Sequence, residues 1–304
     1  MKQEIRFILT QACNYKCSFC HHEGLENIKE NKLNQEDIVF LYRTYYKNFH
    51  SDTITITGGE PFLKEDLNSI VKDLYESGCN ITVVTNGSLL NKKLEVCKYL
   101  KKLNISLHSL EKEVYENITG TKNNYEKVIK NIELVRSEYP LLEININYAI
   151  TYSPIEEMHR KIKDILEFAK KYSVNVKFIE IFPRSDKSFY KLEELEEILI
   201  ENKCNFIEEE NRKKIFSYKN NKVYTTKCLC ASAVEYDRPE EFCYKNNDLF
   251  IAQDGTIKPC RVQKYEISIY DAVKNRDEKK LISLLQKALD TLGNNCPYKK
   301  ENKK

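Results

Sequence analysis

Apolar and polar residues alternate in short runs along the first two-thirds of the chain, and stretches of helical periodicity separate those runs. Period-two patterns at 4–9, 53–57, 80–85, 104–108, 143–150 and 175–182 read as strands. Between them, apolar positions recur at three- and four-residue spacing over 35–49, 64–77, 91–100, 125–138, 155–172 and 192–202, which predicts helices. Strands that alternate with helices form parallel neighbours, because parallel strands need crossover connections. The expected fold class is therefore α/β, a partial six-stranded parallel βα barrel. Functional groups in such barrels gather at the carboxyl ends of the strands.

The pattern changes after about residue 202. A lysine-rich, hairpin-like region spans 213–224. Two alternating runs within 249–260 are joined by Asp254-Gly255, a strong β-hairpin signal. The expected organisation is a barrel over 1–202 and a C-terminal region over 203–304 that contains this hairpin.

Composition narrows the function classes. The 304 residues are 41% hydrophobic, enough for one large domain or a barrel with a smaller appendage. The charge is balanced, 49 basic against 46 acidic residues, which gives no electrostatic case for a nucleic-acid partner. No apolar run approaches the roughly 18 residues of a membrane-spanning helix. The opening Met-Lys-Gln-Glu-Ile-Arg lacks the apolar run of a signal peptide. A cytoplasmic location with no membrane partner is expected. In that compartment eleven cysteines do not read as a disulfide framework. Cys79, Cys97 and Cys204 stand apart and are expected to act as small core residues.

The chemistry concentrates in Cys13-Asn14-Tyr15-Lys16-Cys17-Ser18-Phe19-Cys20, directly after the first strand. Structural zinc usually takes four protein ligands. Three thiolates can hold three irons of a 4Fe–4S cluster and leave the fourth open to another ligand. Other readings of the same residues are a haem-attachment C-x-x-C-H ending at His21, zinc completed by His21 or His22, and a C-x-x-C redox pair. A second motif, Gly58-Gly59-Glu60-Pro61, follows the second strand, where glycines allow close approach to the backbone and Glu60 could supply an anion.

The cysteine loop followed by Gly58-Gly59-Glu60-Pro61 resembles the radical S-adenosylmethionine (radical SAM) superfamily. The fourth-strand run Ile105-Ser106-Leu107-His108-Ser109-Leu110 and the sixth-strand run 176–183 narrow the resemblance to the GTP cyclases that make the molybdopterin precursor. It extends over residues 4 to about 292. It implies that Cys13, Cys17 and Cys20 hold a 4Fe–4S cluster. It also implies that Gly58, Gly59, Glu60, Pro61 and Ser106 contact SAM, with Phe19 near the adenine. SAM is then cleaved reductively to methionine and a 5′-deoxyadenosyl radical, which abstracts hydrogen from a substrate. A reductant such as flavodoxin or ferredoxin is implied. His108, two residues beyond Ser106, shares its face if the strand is regular.

A second 4Fe–4S cluster is implied in the C-terminal region, where Cys243 and Cys260 match two family cysteines and Cys228, Cys230 and Cys296 are further candidate ligands. Plain packing is the other reading of these five. Arg6, Lys64 and Lys177 fall at family substrate positions. The chain also departs from the family. Asn246 stands where the family's second C-x-x-C would end. Asp248 and Phe250 replace an arginine pair, and the fifth-strand lysine falls at Glu143 or Asn145. A carboxylate beside a triphosphate is repulsive. The expected function is hydrogen abstraction from a nucleotide-like or other small molecule. A peptide-modifying enzyme with an auxiliary cluster and a GTP 3′,8-cyclase are the alternatives.

Overall fold

Residues 3–20, 32–150, 154–181, 192–210, 212–230, 241–243, 248–260, 265–294 and 296 are described by a computed structural model. The first six strands are β1 (Ile5–Thr10), β2 (Thr53–Gly58), β3 (Asn80–Thr85), β4 (Lys102–Ser106), β5 (Glu143–Ala149) and β6 (Asn175–Ile179). They pair in chain order, each parallel to the next.

The sheet does not stop at the six strands expected. Among the described residues it has twelve, continued from β6 by β9 (Asn221–Thr226), β8 (Lys213–Tyr218) and β7 (Asn205–Glu210), and from β1 by β10 (Leu249–Ala252), β11 (Thr256–Lys258) and β12 (Ile267–Ser268). Both β9 and β10 join in parallel, so the parallel run is eight strands long. Six strands alone would leave β1 and β6 as open edges with unpaired backbone groups. The strands after residue 203 take up those edges, so one sheet carries strands from both expected regions.

The strands of the parallel run alternate. Ile5, Phe7, Leu9, Ile54, Ile56, Ile81, Val83, Ile105, Ile144, Ile146, Val176, Phe178 and Val223 point into the main core. That core is closed by α1 (Gln35–Phe49), α2 (Leu67–Glu76), α3 (Lys112–Thr119), α4 (Tyr125–Glu138), α5 (Ile155–Tyr172) and α6 (Leu192–Glu201). The intervening residues face the other way, into a lumen. Arg6 on β1 and Lys177 on β6 perturb one another electrostatically. In a flat sheet these strands would lie about 24 Å apart, at roughly 4.8 Å per strand. The sheet therefore curls into an open barrel.

Segment 91–100 is not the α-helix expected from its spacing. It forms two 3₁₀ turns, Leu90–Lys92 and Leu94–Tyr99. The break falls at Lys93, whose backbone leaves the helical region (φ −143°, ψ 50°) and whose ammonium binds the Lys64 carbonyl. Two short turns suffice to bury Leu90, Val96 and Cys97.

The C-terminal helices α7 (Tyr270–Lys274) and α8 (Glu278–Asp290) are tied to α1 by a buried charge. Asp37 forms a capping box with Asn34 and also pairs with Lys274 at 2.8 Å and Arg276 at 2.7 Å. Burial works against the Asp37 charge. Hydrogen bonds from Lys274, the Asn34 backbone and Arg276 outweigh it and hold the carboxyl below its usual range. Removing one partner of a buried pair strands the others. Asp37→Ala should therefore lower stability by about 1.5–3 kcal/mol, read from urea unfolding curves. A change within about 0.5 kcal/mol, the range of ordinary surface substitutions, would show that this clamp does not hold the C-terminal helices.

Candidate functional site

The cysteine loop leaves β1 at the carboxyl end of the sheet and is fastened on three sides. Its backbone donates from Lys16 to the Thr119 carbonyl and from Ser18 to the Ile118 carbonyl, both 2.9 Å, which docks it on the end of α3. Tyr15 is buried, and its hydroxyl accepts from the Tyr115 hydroxyl at 3.2 Å. The Asn14 amide donates to Ser88 at 2.9 Å and accepts from the Asn86 amide at 2.9 Å, which ties the loop to the turn after β3. Cys13 and Cys20 are exposed and Cys17 is half-buried, so the three thiols edge an open surface. They sense one another. Burial first, then Cys20 and Cys13, pushes the Cys17 thiol up to about 11.

The second motif supports this loop from below. Gly58 has φ +136°, a conformation that favours glycine. Its neighbour Gly59 donates to the Thr10 carbonyl at 2.7 Å, and a Cβ on Gly59 would lie 2.1 Å from the Ala12 carbonyl oxygen. Glu60 is wholly buried. Its carboxylate accepts from the Phe62 N–H (3.0 Å), the Thr85 hydroxyl (2.7 Å) and the Asn86 N–H (2.7 Å), while its own N–H donates to the Ala12 carbonyl (2.8 Å). Burial pushes this carboxyl up to about 7 against the pull of the three donors. Glu60 is thus a buried hub joining three loops. It does not present its carboxylate at the open surface, as the expectation of an anion there had it.

Ser106 ends β4 on the lumen face, in register with Asn147 on β5, which is in register with Lys177 on β6. His108 lies beyond the end of β4. Its Nδ1 accepts the Ala149 N–H at 3.1 Å, which leaves the ring hydrogen on Nε2. Its ring meets Phe19 edge-on, centroids 4.9 Å apart. Burial lowers His108 to about 4, so the ring is neutral.

The substrate candidates divide. Arg6 and Lys177 share the lumen. Lys64 lies in the loop after β2, 3.3 Å from Asp66. The two positions that break the family pattern both meet Arg6. Asp248 is 3.6 Å from its guanidinium, and the Phe250 ring lies 5.6 Å from its central carbon. Lys177 is depressed to about 7, chiefly by burial and then by Lys213, Arg6 and Arg212, while Asp248 acts in the opposite sense. A ladder of Asn104, Asn145 and Asn175 amides, each link 3.0 Å, fills the strands below. Sequence reasoning missed Lys213, Asn147 and Thr226 at this lumen. Only the alternation of their strands marked them.

Of the five C-terminal cysteines, Cys243 is buried and Cys228, Cys230, Cys260 and Cys296 are half-buried. Cys243 packs with Leu229 and Phe242, and the Cys228 N–H donates to Glu180 at 2.9 Å. Among the described residues no three potential ligands converge on a single metal ion. His21, His22, Asn246, Phe182 and Pro183 lie outside the described residues. A small apolar cleft lined by Tyr148, Ile150, Met158, Lys161, Phe178 and Leu195 opens on the helix side of the sheet, away from the lumen. No described helix is long and apolar enough to cross a membrane.

Comparison with known proteins agrees with this geometry. Residues 7–169 match the model of the radical SAM superfamily, and the chain belongs to that superfamily. It is 30% identical over 307 residues to a probable GTP 3′,8-cyclase of Thermococcus kodakarensis, covering 94% of each chain. It is 28% identical over 299 residues to one of Pyrobaculum aerophilum, covering 94% of this chain and 93% of that one. Among solved structures, SuiB of Streptococcus suis bound to S-adenosylmethionine superposes with a TM-score of 0.66 at 17% identity, over 88% of this chain and 63% of SuiB. The anSMEcpe structure with bound AdoMet gives 0.58 at 16% identity, over 94% of this chain and 84% of that one. These two likenesses speak to the fold.

Two outcomes follow. Gly59→Ala drives the cysteine loop off its seat. A displacement of about 1 Å at reacting groups can cost about 100-fold in rate, so SAM cleavage by reconstituted protein should fall at least that far. Near-wild-type cleavage would show that the loop does not need this contact. Lys177 governs a stability trend. Above its ordinary value of 10.5 it is neutral folded and unfolded, and between there and about 7 only the unfolded chain takes the proton. Stability is thus reduced at neutral pH and recovers as pH rises. Lys177→Met should be more stable than the parent at pH 7, with the advantage shrinking toward pH 10. Urea titrations at both pH values decide it, and an advantage independent of pH would contradict the assignment.

Proposed function

We propose that the chain is a radical SAM enzyme that acts on a small molecule held in the barrel lumen. The observation that carries this reading is the joint one at the carboxyl end of the sheet. Three mutually close, surface-edging thiols sit on a loop fixed to the Gly58-Gly59-Glu60-Pro61 turn by Glu60. Cys13, Cys17 and Cys20 would hold a 4Fe–4S cluster. When bound, that cluster supplies the electron that breaks a carbon–sulfur bond of SAM and yields a 5′-deoxyadenosyl radical. Backbone groups of Gly58 and Gly59 would meet the methionine part of SAM, with Ser106 and the Phe19 ring meeting the rest. Glu60 holds these groups in place and keeps water from the base of the loop. Flavodoxin or ferredoxin would supply the electron in the cytoplasm, and the C-terminal cysteines would hold a second cluster.

The relatives' names raise GTP as substrate. Arg6 in this chain is paired with Asp248, and Asp248 and Phe250 stand where the resemblance implies arginines. Each charge-assisted contact missing to a triphosphate is worth about 1.5–3 kcal/mol, so a different small molecule fits better. A peptide substrate is the second reading. It draws on β7, the outermost strand of the sheet, which is exposed along its whole length and could receive an extended chain.

Anaerobic reconstitution, reduction with dithionite and chromatography test the central claim. Wild-type protein should form 5′-deoxyadenosine from SAM, and the protein with Cys13, Cys17 and Cys20 all replaced by alanine should form none while keeping about four irons of the second cluster. Equal product from both proteins would refute the assignment of these cysteines. An iron-free triple variant would refute the second cluster alone.

A further inference from the structure

Two lumen-facing side chains of the described barrel are at least nine-tenths buried and hold a polar atom without a hydrogen-bond partner. They are Asn147, 9% exposed, at Oδ1, and Thr226, 4% exposed, at Oγ1. Folded interiors rarely leave such atoms unpaired, and each asks for an explanation. Both belong to the lumen face by alternation. Ile146 and Tyr148 beside Asn147 lie in the main core, and Thr225 beside Thr226 turns outward to bond Glu196 on α6.

They also bracket one cation. Asn147 is directly in register with Lys177. Thr226 is in register with Ile179, two residues beyond Lys177 on the same strand. Lys213 on β8 stands opposite Thr226. Neither lysine side chain forms a hydrogen bond or ion pair within the described residues, whereas Arg6 is paired with Asp248 and Arg212 donates to the Lys227 carbonyl at 2.8 Å. Four side chains from β5, β6, β8 and β9 thus converge with their hydrogen-bonding capacity unspent.

We propose that Asn147, Lys177, Lys213 and Thr226 form a subsite for a carboxylate that carries an O–H or N–H on the adjoining carbon, and that the substrate belongs to this class. The inference deepens the reading of the lumen as the substrate site and rests on it. A bound carboxylate favours a proton on Lys177, and the two ammonium groups and a hydroxyl then supply donors for its two oxygens. The Asn147 amide both donates and accepts, so it suits a neighbouring hydroxyl or amide that does the same. A triphosphate fits poorly. It brings several negative charges and few donors, and it meets Asp248 together with Glu4, whose charge senses Asp248, Lys213 and Arg6 in the same lumen. The same carboxylate chemistry is offered by a small hydroxy or acylamino acid and by the free C-terminus of a peptide.

Thermal unfolding of the whole reconstituted chain with SAM present tests the proposal. The probes, each at 10 mM, are glycolate, N-acetylglycine, the uncharged glycolamide and GTP. A tripeptide with a free carboxylate and its C-terminal amide form the last pair. A millimolar site should raise the unfolding temperature by about 3 °C with glycolate or N-acetylglycine and leave it unmoved with glycolamide. Lys177→Met and Lys213→Met should each abolish the rise, and the unliganded transition of each variant reports whether it folds. If Lys177→Met does not fold, Lys213→Met and Thr226→Val carry the test. A larger rise with the acid tripeptide than with either small acid names the peptide terminus as the source. The proposal is overturned if no carboxylate raises the temperature, if the rise survives in the folded variants, or if GTP outdoes every acid. SAM cleavage is measured apart from these shifts, so its loss would refute the proposed function and leave the carboxylate result standing.

Discussion

A single buried carboxylate fixes the chemistry-bearing end of this molecule. Glu60 accepts hydrogen bonds from the turn it belongs to, from the end of β3 and from the loop after β3, and its backbone holds the cysteine loop at Ala12. A charge with no solvent contact is tolerated only where donors surround it. Three donors do so here, one from its own turn and two from the adjacent residues Thr85 and Asn86. Asn86, itself bound to Glu60, passes the constraint on through its side chain to Asn14, and so to the backbone between Cys13 and Tyr15. The position of the thiols is therefore set by hydrogen bonds beneath them as much as by the loop that carries them.

The strands and the cysteine loop were legible in the sequence because their signals are local. Alternation of period two placed all six parallel strands within a few residues of where they stand, and helices 35–49, 125–138 and 155–172 begin and end where periodicity put them. Spacing along a few residues likewise marked the cysteine triplet and Gly58-Gly59-Glu60-Pro61. What was not legible depends on distant segments. No local pattern says that β9 and β10, some 200 residues from β1 at their nearest, will cover its sheet's two edges. Nor does it reveal that a glutamate next to two glycines turns inward. The break at Lys93 was hidden for the same reason, since its ammonium is held by a carbonyl 29 residues away.

The substitutions at 248 and 250 show how the lumen differs from what the family resemblance implied. Read singly, Asp248 is a lost cation and Phe250 a lost cation. In the folded chain both act on Arg6, one by charge and one by its ring face. Ion pairing with an internal carboxylate competes directly with any ligand anion for the same guanidinium. The change thus does more than remove two positive charges. It also occupies the arginine that remained.

That displacement moves the unpaired positive charge across the lumen, from the β1–β10 side to the β6–β8 side. There, among the described residues, Lys177 and Lys213 stand without ion pairs, Lys177 in register with Asn147 and, through it, with Ser106, and Lys213 opposite Thr226. Adjacent strands are about 4.8 Å apart, so Ser106 and Lys177, two strands apart, lie about 10 Å from each other. A radical generated from SAM beside Ser106 would need to travel only a small molecule's length to reach a substrate anchored at Lys177. A substrate held by Arg6 would be reached from the opposite wall. On the proposed reading, the geometry of hydrogen abstraction turns on which wall carries the free cations, and the Arg6–Asp248 pair favours the β6–β8 wall.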